Sequence, residues 1–247
     1  MIRILENFAL KNWQLRSVEG PLRLDERVFE AFLSAPFDLL PRFKGPLHKK
    51  HKDGRGKDHP RYGRFIYALA KHYAPELTVE VGTYCGGTAI GWAKAIAESG
   101  TGRLICVDND TYSHGSYPEV ARENLSRIGI SPDRYELIIG NSKQIIPELA
   151  VLLKQQVDIY MVDGDHTYEG ALADITNGLS MLKPGGFVLV HDIDRNRNMD
   201  ERTPEHPHPV YEAFKHVINE YGFAWTTLKF VRKHLGIIQV GRHAQRL

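Results

Sequence analysis

From Leu77 onward the sequence alternates between short apolar runs and longer segments of helical periodicity. The apolar runs are Leu77–Val81, Arg103–Asp108, Tyr135–Ile139, Val157–Val162 and Gly186–His191. The periodic segments that follow them are Thr88–Glu98, Pro118–Ile128, Ser142–Leu153, Tyr168–Leu182 and Val210–Tyr221. Strands joined through helices run parallel, and strands that read as continuous apolar runs are covered on both faces. Two more strands, Ala224–Val231 and Leu235–Val240, are separated by a short Arg-Lys-His turn, so one of them runs antiparallel. The pattern predicts an α/β fold: a doubly wound, mostly parallel seven-stranded sheet closed by a C-terminal antiparallel hairpin. Ahead of it, Phe65, Ile66, Leu69 and Ala70 recur at helical spacing, which predicts a helix over Tyr62–Tyr73 that Pro75 ends.

Open sheets of this kind bind ligands beyond the carboxyl ends of their strands, where the strand order reverses. Here every strand of the parallel set ends in polar groups: Glu80 and Gly82, then Asp108, Gly140-Asn141-Ser142, Asp163-Gly164-Asp165-His166, and His191-Asp192. One such acid is usually a helix cap. Five polar strand ends in succession point to a ligand cleft. The first, Val79-Glu-Val-Gly-Thr-Tyr-Cys-Gly-Gly-Thr-Ala-Ile90, reads as strand, glycine turn and helix. Gly82, Gly86 and Gly87 allow a ligand close to the backbone, and the following helix offers free N–H groups to an anionic end. With Glu80 beside it, the turn suits a ligand carrying an amino-acid end and a sulfonium, as S-adenosylmethionine does. A dinucleotide fingerprint, Gly-x-Gly-x-x-Gly, spaces its glycines differently from Gly82-x-x-x-Gly86-Gly87. The remaining alternative is a tight strand–helix turn with no ligand. Asp108 can accept both hydroxyls of a ribose, a feature nicotinamide enzymes share. Ser142 suits either an adenine edge or the N-cap of its helix.

The chemistry concentrates in Asp163, Asp165, His166 and Asp192. Asp163 and Asp192 end neighbouring strands, so their carboxylates can converge on a hard divalent cation such as magnesium. Such an ion orients a substrate hydroxyl and lowers its pKa. His166 titrates near neutral pH and lies three residues after Asp163, which suits a general base. A loop-capping role for either residue is the alternative. The polar, Pro-containing segment Arg195–Pro209 follows the fifth strand, where loops shape substrate pockets.

Composition excludes little and suggests no unusual class. With 247 residues, 42% of them hydrophobic, and a net charge of +2, the chain can bury a real core, and its composition calls for neither nucleic acid nor a membrane surface. Cys85 and Cys106 fall in core elements and have neither disulfide nor zinc spacing. No apolar run approaches the ~20 residues of a membrane helix, and the Met-Ile-Arg-Ile-Leu-Glu start lacks a leader pattern, so a cytoplasmic location is expected. Residues 1–61 are expected to form a helical and irregular segment with a basic lid loop, and residues 62–247 the ligand-binding domain. The Lys44–Arg64 stretch reads as a solvated linker, a lid, or a nucleic-acid contact.

These motifs resemble the class I S-adenosylmethionine-dependent methyltransferases, in particular the catechol and macrocin-type O-methyltransferases. Val79-Glu-Val-Gly-Thr-Tyr-Cys-Gly-Gly is similar to the cofactor turn of the catechol enzymes, and Ile139-Gly-Asn-Ser-Lys-Gln-Ile-Ile-Pro-Glu-Leu149 to their adenine-side segment. Val162-Asp-Gly-Asp-His-Thr-Tyr-Glu-Gly170 and Leu182-Lys-Pro-Gly-Gly-Phe-Val-Leu-Val-His-Asp192 look like the macrocin-type group. The resemblance runs from Tyr62 to Gly241 and implies a Rossmann-like fold, S-adenosylmethionine as cofactor, and a small hydroxyl-bearing acceptor such as a sugar or secondary metabolite. It implies Glu80, Gly82 and Gly86 at the methionine end, Asp108 at the ribose and Ser142 near the adenine. The expected cofactor set also takes in Thr83, Tyr84, Gly87, Asn109, Asn141 and Asp163. Asp163 and His166 are the expected catalytic residues. Relatives of this kind carry two adjacent oxygen ligands after the fifth strand, whereas this chain has His191-Asp192-Ile193. Two outcomes are open: His191 joins Asp163 and Asp192 as a ligand, favouring a softer metal, or a histidine works without metal. Homo-oligomers are common among such enzymes. The competing functions are a nucleic-acid methyltransferase using residues 44–64 and a cofactor-binding protein without transferase activity.

Overall fold

A computed structural model describes residues 17–35, 59–111, 117–195, 200–230 and 234–243. The elements are β1 (Ser17–Glu19), α1 (Glu26–Ser34), α2 (His59–Tyr73), β2 (Leu77–Val81), α3 (Ala89–Ser99), β3 (Arg103–Asp108), α4 (Tyr117–Ile128), β4 (Tyr135–Ile139) and α5 (Ser142–Leu152). They continue with β5 (Val157–Val162), α6 (Tyr168–Gly178), β6 (Leu182–His191), α7 (Pro209–Tyr221), β7 (Phe223–Lys229) and β8 (His234–His243). One mixed sheet has the order β1-β7-β8-β6-β5-β2-β3-β4. β4, β3, β2, β5 and β6 run parallel, and β8 pairs antiparallel with both β6 and β7.

All seven strands expected from the sequence are present, and an eighth joins them. Ser17, Val18 and Glu19 pair antiparallel with Lys229, Leu228 and Thr227. Three residues carry no readable alternation, so only the pairing reveals this strand. Through it, and through α1 packed in the same core, residues 17–35 belong to the body that residues 59–243 form. The basic stretch from Lys44 lies outside the described residues as far as residue 58, and α2 begins at His59.

Side chains alternate across the strands and supply two cores. On one face Leu104, Cys106, Ile159, Met161 and Leu189 pack with Phe32, Phe65, Leu69 and Trp92 from α1, α2 and α3. On the other, Val79, Val81, Ile105, Val107, Val188 and Val190 pack with Ile146, Ile175, Phe214 and Val217 from α5, α6 and α7. Each fully buried aliphatic or aromatic side chain contributes about 1.5–3 kcal/mol, so these two layers dominate stability and hold the strand ends rigid. Gly91 brings α2 and α3 together on the first face: a Cβ there would lie 2.7 Å from Gly63 O and 2.8 Å from Ile66 Cγ2.

Candidate active site

The strand order reverses at β2, which pairs with β3 on one side and β5 on the other. The zipper continues past the strands: Gly82 N donates to Val107 O at 2.9 Å, Asp163 N to Val81 O at 2.9 Å, and Gly140 N to Asp108 O at 2.9 Å. A cleft floor is thereby fixed at the carboxyl ends of four adjacent strands, β5, β2, β3 and β4. Gly82 has φ +80°, and a Cβ there would sit 1.9 Å from Asp163 O. No other residue fits at that position.

The turn after β2 is shaped by the next strand. Tyr84 takes the left-handed conformation, with φ 51°. The Asp108 carboxylate receives Tyr84 N at 2.7 Å and Asp110 N at 2.8 Å, one on each oxygen. Each oxygen retains acceptor capacity. Burial raises the Asp108 pKa, and those two N–H donors pull against it. Gly86 has φ +85° with nothing closer than 3.9 Å to its Cβ position, so its need for glycine is conformational. Asn124 Nδ2 holds Cys85 O at 2.7 Å and ties α4 to the turn.

Glu80 sits lower than its place near the strand's end suggests. It alternates with Val79 and Val81 onto the α3 face, where its side chain is wholly buried. Trp92 Nε1 donates to its Oε2 at 3.0 Å. Thr88 and Thr83 also lie beside the carboxyl and favour its charged form. Burial pushes the Glu80 carboxyl up to about 8, with the nearby Asp163 charge acting in the same direction. Glu80 therefore supports the turn from beneath, buried and held by Trp92.

The acidic and imidazole groups at β5 and β6 converge. Asp163 Oδ1 lies 2.7 Å from His191 Nδ1 and 3.4 Å from His166 Nε2. His191 Nε2 lies 3.5 Å from Asp192 Oδ1. Asp192 adopts φ 51°, a left-handed conformation that costs a non-glycine residue about 1–3 kcal/mol. One ligand atom each from Asp163, His191 and Asp192 lie within 4.8 Å of one another. Burial alone would raise the Asp163 pKa, but the charges and hydrogen bonds of His191 and His166 hold it well below the carboxylate range. Burial alone would lower the His166 pKa; the hydrogen bond to Asp163 and the charges of Asp163, Asp192 and Glu201 outweigh it and raise it.

Asp165 does not join this group. It accepts from Thr167 N at 3.0 Å and Thr167 Oγ1 at 2.8 Å, and meets Lys143 Nζ at 3.1 Å. Its part is to brace the start of α6 against α5. Asn141 caps α5 by accepting from Lys143 N, so the capping alternative for Ser142 falls to its neighbour. Asn109 accepts from Thr111 N at 3.0 Å in the loop after β3.

The segment following β6 is pinned to the helices. Arg195 Nη2 donates to Tyr211 OH at 2.7 Å, His206 stacks on Tyr168 at 3.7 Å, and His206 Nδ1 lies 2.9 Å from Glu212 Oε2. His206 is thereby committed to α6 and α7, away from the Asp163 group. Three contributors escaped the sequence reading: Trp92, Asn124 and Lys143. Each acts across tertiary contacts that no local spacing announces.

A sequence profile described as a methyltransferase domain matches residues 79–193, a span from within β2 to just past β6 that carries the glycine turn and the Asp163, His166, His191 and Asp192 group. A protein of Mycobacterium sp. (strain JLS), whose name assigns it provisionally as an O-methyltransferase, is 27% identical over 138 residues, covering 56% of this chain and 58% of its own. The chain thus spans less than two thirds of that relative's length. Cofactor-bound Rv0187 from MTB superposes with a TM-score of 0.61 at 21% identity over 89% of this chain and 92% of its own. The O-methyltransferase from Bacillus cereus, in complex with SAH, gives 0.60 at 15% identity over 97% and 100%. TomG from Streptomyces achromogenes, an O-methyltransferase involved in tomaymycin synthesis and solved with SAM, gives 0.59 at 18% identity over 97% and 96%. The fold is the Rossmann-like one of these solved methyltransferases, as the resemblance implied, and residues 79–193 match a methyltransferase-domain profile. No described helix is long and apolar enough to cross a membrane.

Proposed function

We propose that this protein is an S-adenosylmethionine-dependent O-methyltransferase acting on a hydroxyl of a small molecule, such as a sugar or secondary metabolite. The observation that carries the reading is the meeting, at one edge of the sheet, of the glycine turn with the Asp163–His166–His191–Asp192 cluster. The turn supports cofactor binding in specific ways. Its glycines leave the backbone open, and the acceptor capacity left on Asp108 suits two ribose hydroxyls. The negative charges of Asp108 and Asp163 favour a sulfonium between them. Glu80 and Thr83 act from below, and Tyr84, Gly87, Asn109, Asn141 and Ser142 border the same rim.

Methyl transfer is an in-line displacement: the acceptor oxygen attacks the methyl carbon, the carbon–sulfur bond breaks to leave a neutral thioether, and the hydroxyl proton departs. Positioning of the two reactants is most of the work. His166 takes the proton, and Asp163 orients its ring and stabilises the imidazolium that results. Asp163, His191 and Asp192 form a mixed nitrogen and oxygen donor set that fits a divalent cation, with His191 in place of the missing oxygen ligand. When bound, the ion would lower the pKa of the acceptor hydroxyl and orient it. The imidazole moves preference from magnesium towards manganese or another later metal. The small-molecule reading is favoured over a nucleic-acid one because the cleft is lined by Asp108, Asp163 and Asp192, whose negative charges oppose a phosphate backbone.

Metal binding is testable by melting. Manganese at about 100 times its Kd should stabilise the fold by about 2.7 kcal/mol. That raises Tm by roughly 5–10 °C for a domain of this size. Asp192→Asn should abolish the shift. An unchanged wild-type Tm with manganese, magnesium and zinc would leave a metal-free site in which His166 works alone.

A further inference from the structure

At the opposite end of β2, α2 and α3 part company. They touch closely at Gly63 and Gly91, but small residues face each other further along: Ala70 and Ala74 on and just beyond α2, and Ala95 on α3. The gap is a cleft of about 230 Å³, walled by these alanines and Ile96. For scale, an engineered apolar cavity of about 150 Å³ holds benzene. Thr78 lines the cleft, and its hydroxyl is wholly buried with no hydrogen-bond partner among the described residues. A buried hydroxyl left unbonded is destabilising, so a ligand group that meets it gains a hydrogen bond on binding. The charged groups at the rim are paired: Glu98 Oε2 lies 3.3 Å from Lys71 Nζ and receives Tyr67 OH at 2.6 Å, and Glu98 Oε1 lies 3.2 Å from Lys94 Nζ. Trp92 forms another wall while its N–H holds Glu80 beneath the glycine turn.

We propose that this cleft is a second small-molecule site, taking a neutral, ring-sized compound with a single hydrogen-bonding group directed at Thr78. The volume limits the occupant to about one substituted ring. The paired rim charges and largely apolar walls disfavour ions, and the Thr78 hydroxyl sets the orientation. The occupant would rest on the ring that fixes Glu80, which links the site to the turn across the thickness of α3. The inference does not depend on methyl transfer, and binding to the protein alone tests it.

Phenol is the probe, and the readout is protein-observed NMR of the full chain. Phenol should move the Trp92 indole N–H and Thr78 amide resonances to saturation. Thr78→Val, which keeps the shape and removes the hydroxyl, should raise Kd about fivefold, the value of one hydrogen bond. Ala95→Leu, which fills the cleft, should abolish the shifts; Thr78→Val carries the test if that variant folds poorly. Shifts that grow linearly with phenol, or an unchanged Kd in Thr78→Val, would overturn the proposal.

Discussion

His166→Gln should lower kcat by about 100- to 10,000-fold, the range a positioned general base supplies. The KM for the cofactor should stay within a few-fold of wild type, because the imidazole contacts the Asp163 side of the cleft and not the glycine turn. The wild-type profile of kcat should rise with pH through an inflection above 6.5, since the His166 pKa is raised from that ordinary value. The sign follows from chemistry: the base works when neutral, so activity is lost as pH falls through the folded-state pKa. Stability runs the other way. A raised folded-state pKa contributes stability that is complete below the unfolded pKa and disappears as pH rises through the folded one. Rate measurements across pH, paired with urea melts of wild type and His166→Gln, check both. A variant with full kcat and an unchanged pH profile would remove His166 from the chemistry.

Gly82→Ala should cost about 2–5 kcal/mol. Part is the left-handed backbone, about 1–2 kcal/mol for a residue with a Cβ. The rest is overpacking, typically 1–3 kcal/mol, as that Cβ would lie 1.9 Å from the Asp163 carbonyl oxygen. The same overlap pushes β5 away from β2 and moves Asp163 with it, so S-adenosylhomocysteine binding and turnover should fall together. Gly86→Ala is the control: the conformation is as unfavourable, but the space is open, so its cost should be about 1–2 kcal/mol. Calorimetric melts of the two variants separate the terms, and equal costs would contradict the steric account of Gly82.

Much of this was legible in the chain itself. The βα alternation from Leu77 predicts the parallel sheet, and the polar strand ends predict the face that carries the site, because both depend on local periodicity. What was not legible depends on which elements become neighbours. His191 reaches Asp163 because β5 and β6 pair with Val162 beside Val190, so the next residues of each strand meet. That contact follows from strand order, which no spacing in the sequence states. Asp165 looked equivalent to Asp163, two residues away, yet the strand ends at Val162 and the chain bends at Gly164, so Asp165 meets Lys143 on α5. Glu80 looked displayed at the strand's end, but the same alternation that buries Thr78 buries it under Trp92. β1 was missed because three residues at a sheet edge show no pattern until their partner is in place.

The central claim is that the cleft above β2, β3 and β5 holds S-adenosylmethionine. Calorimetric titration of S-adenosylhomocysteine into the purified chain tests it most directly. The account predicts one site of micromolar affinity, weakened at least tenfold by Asp108→Ala, which removes about 1.4 kcal/mol or more of ribose contact. A folded wild-type protein that takes up no S-adenosylhomocysteine, with manganese or without, would contradict it.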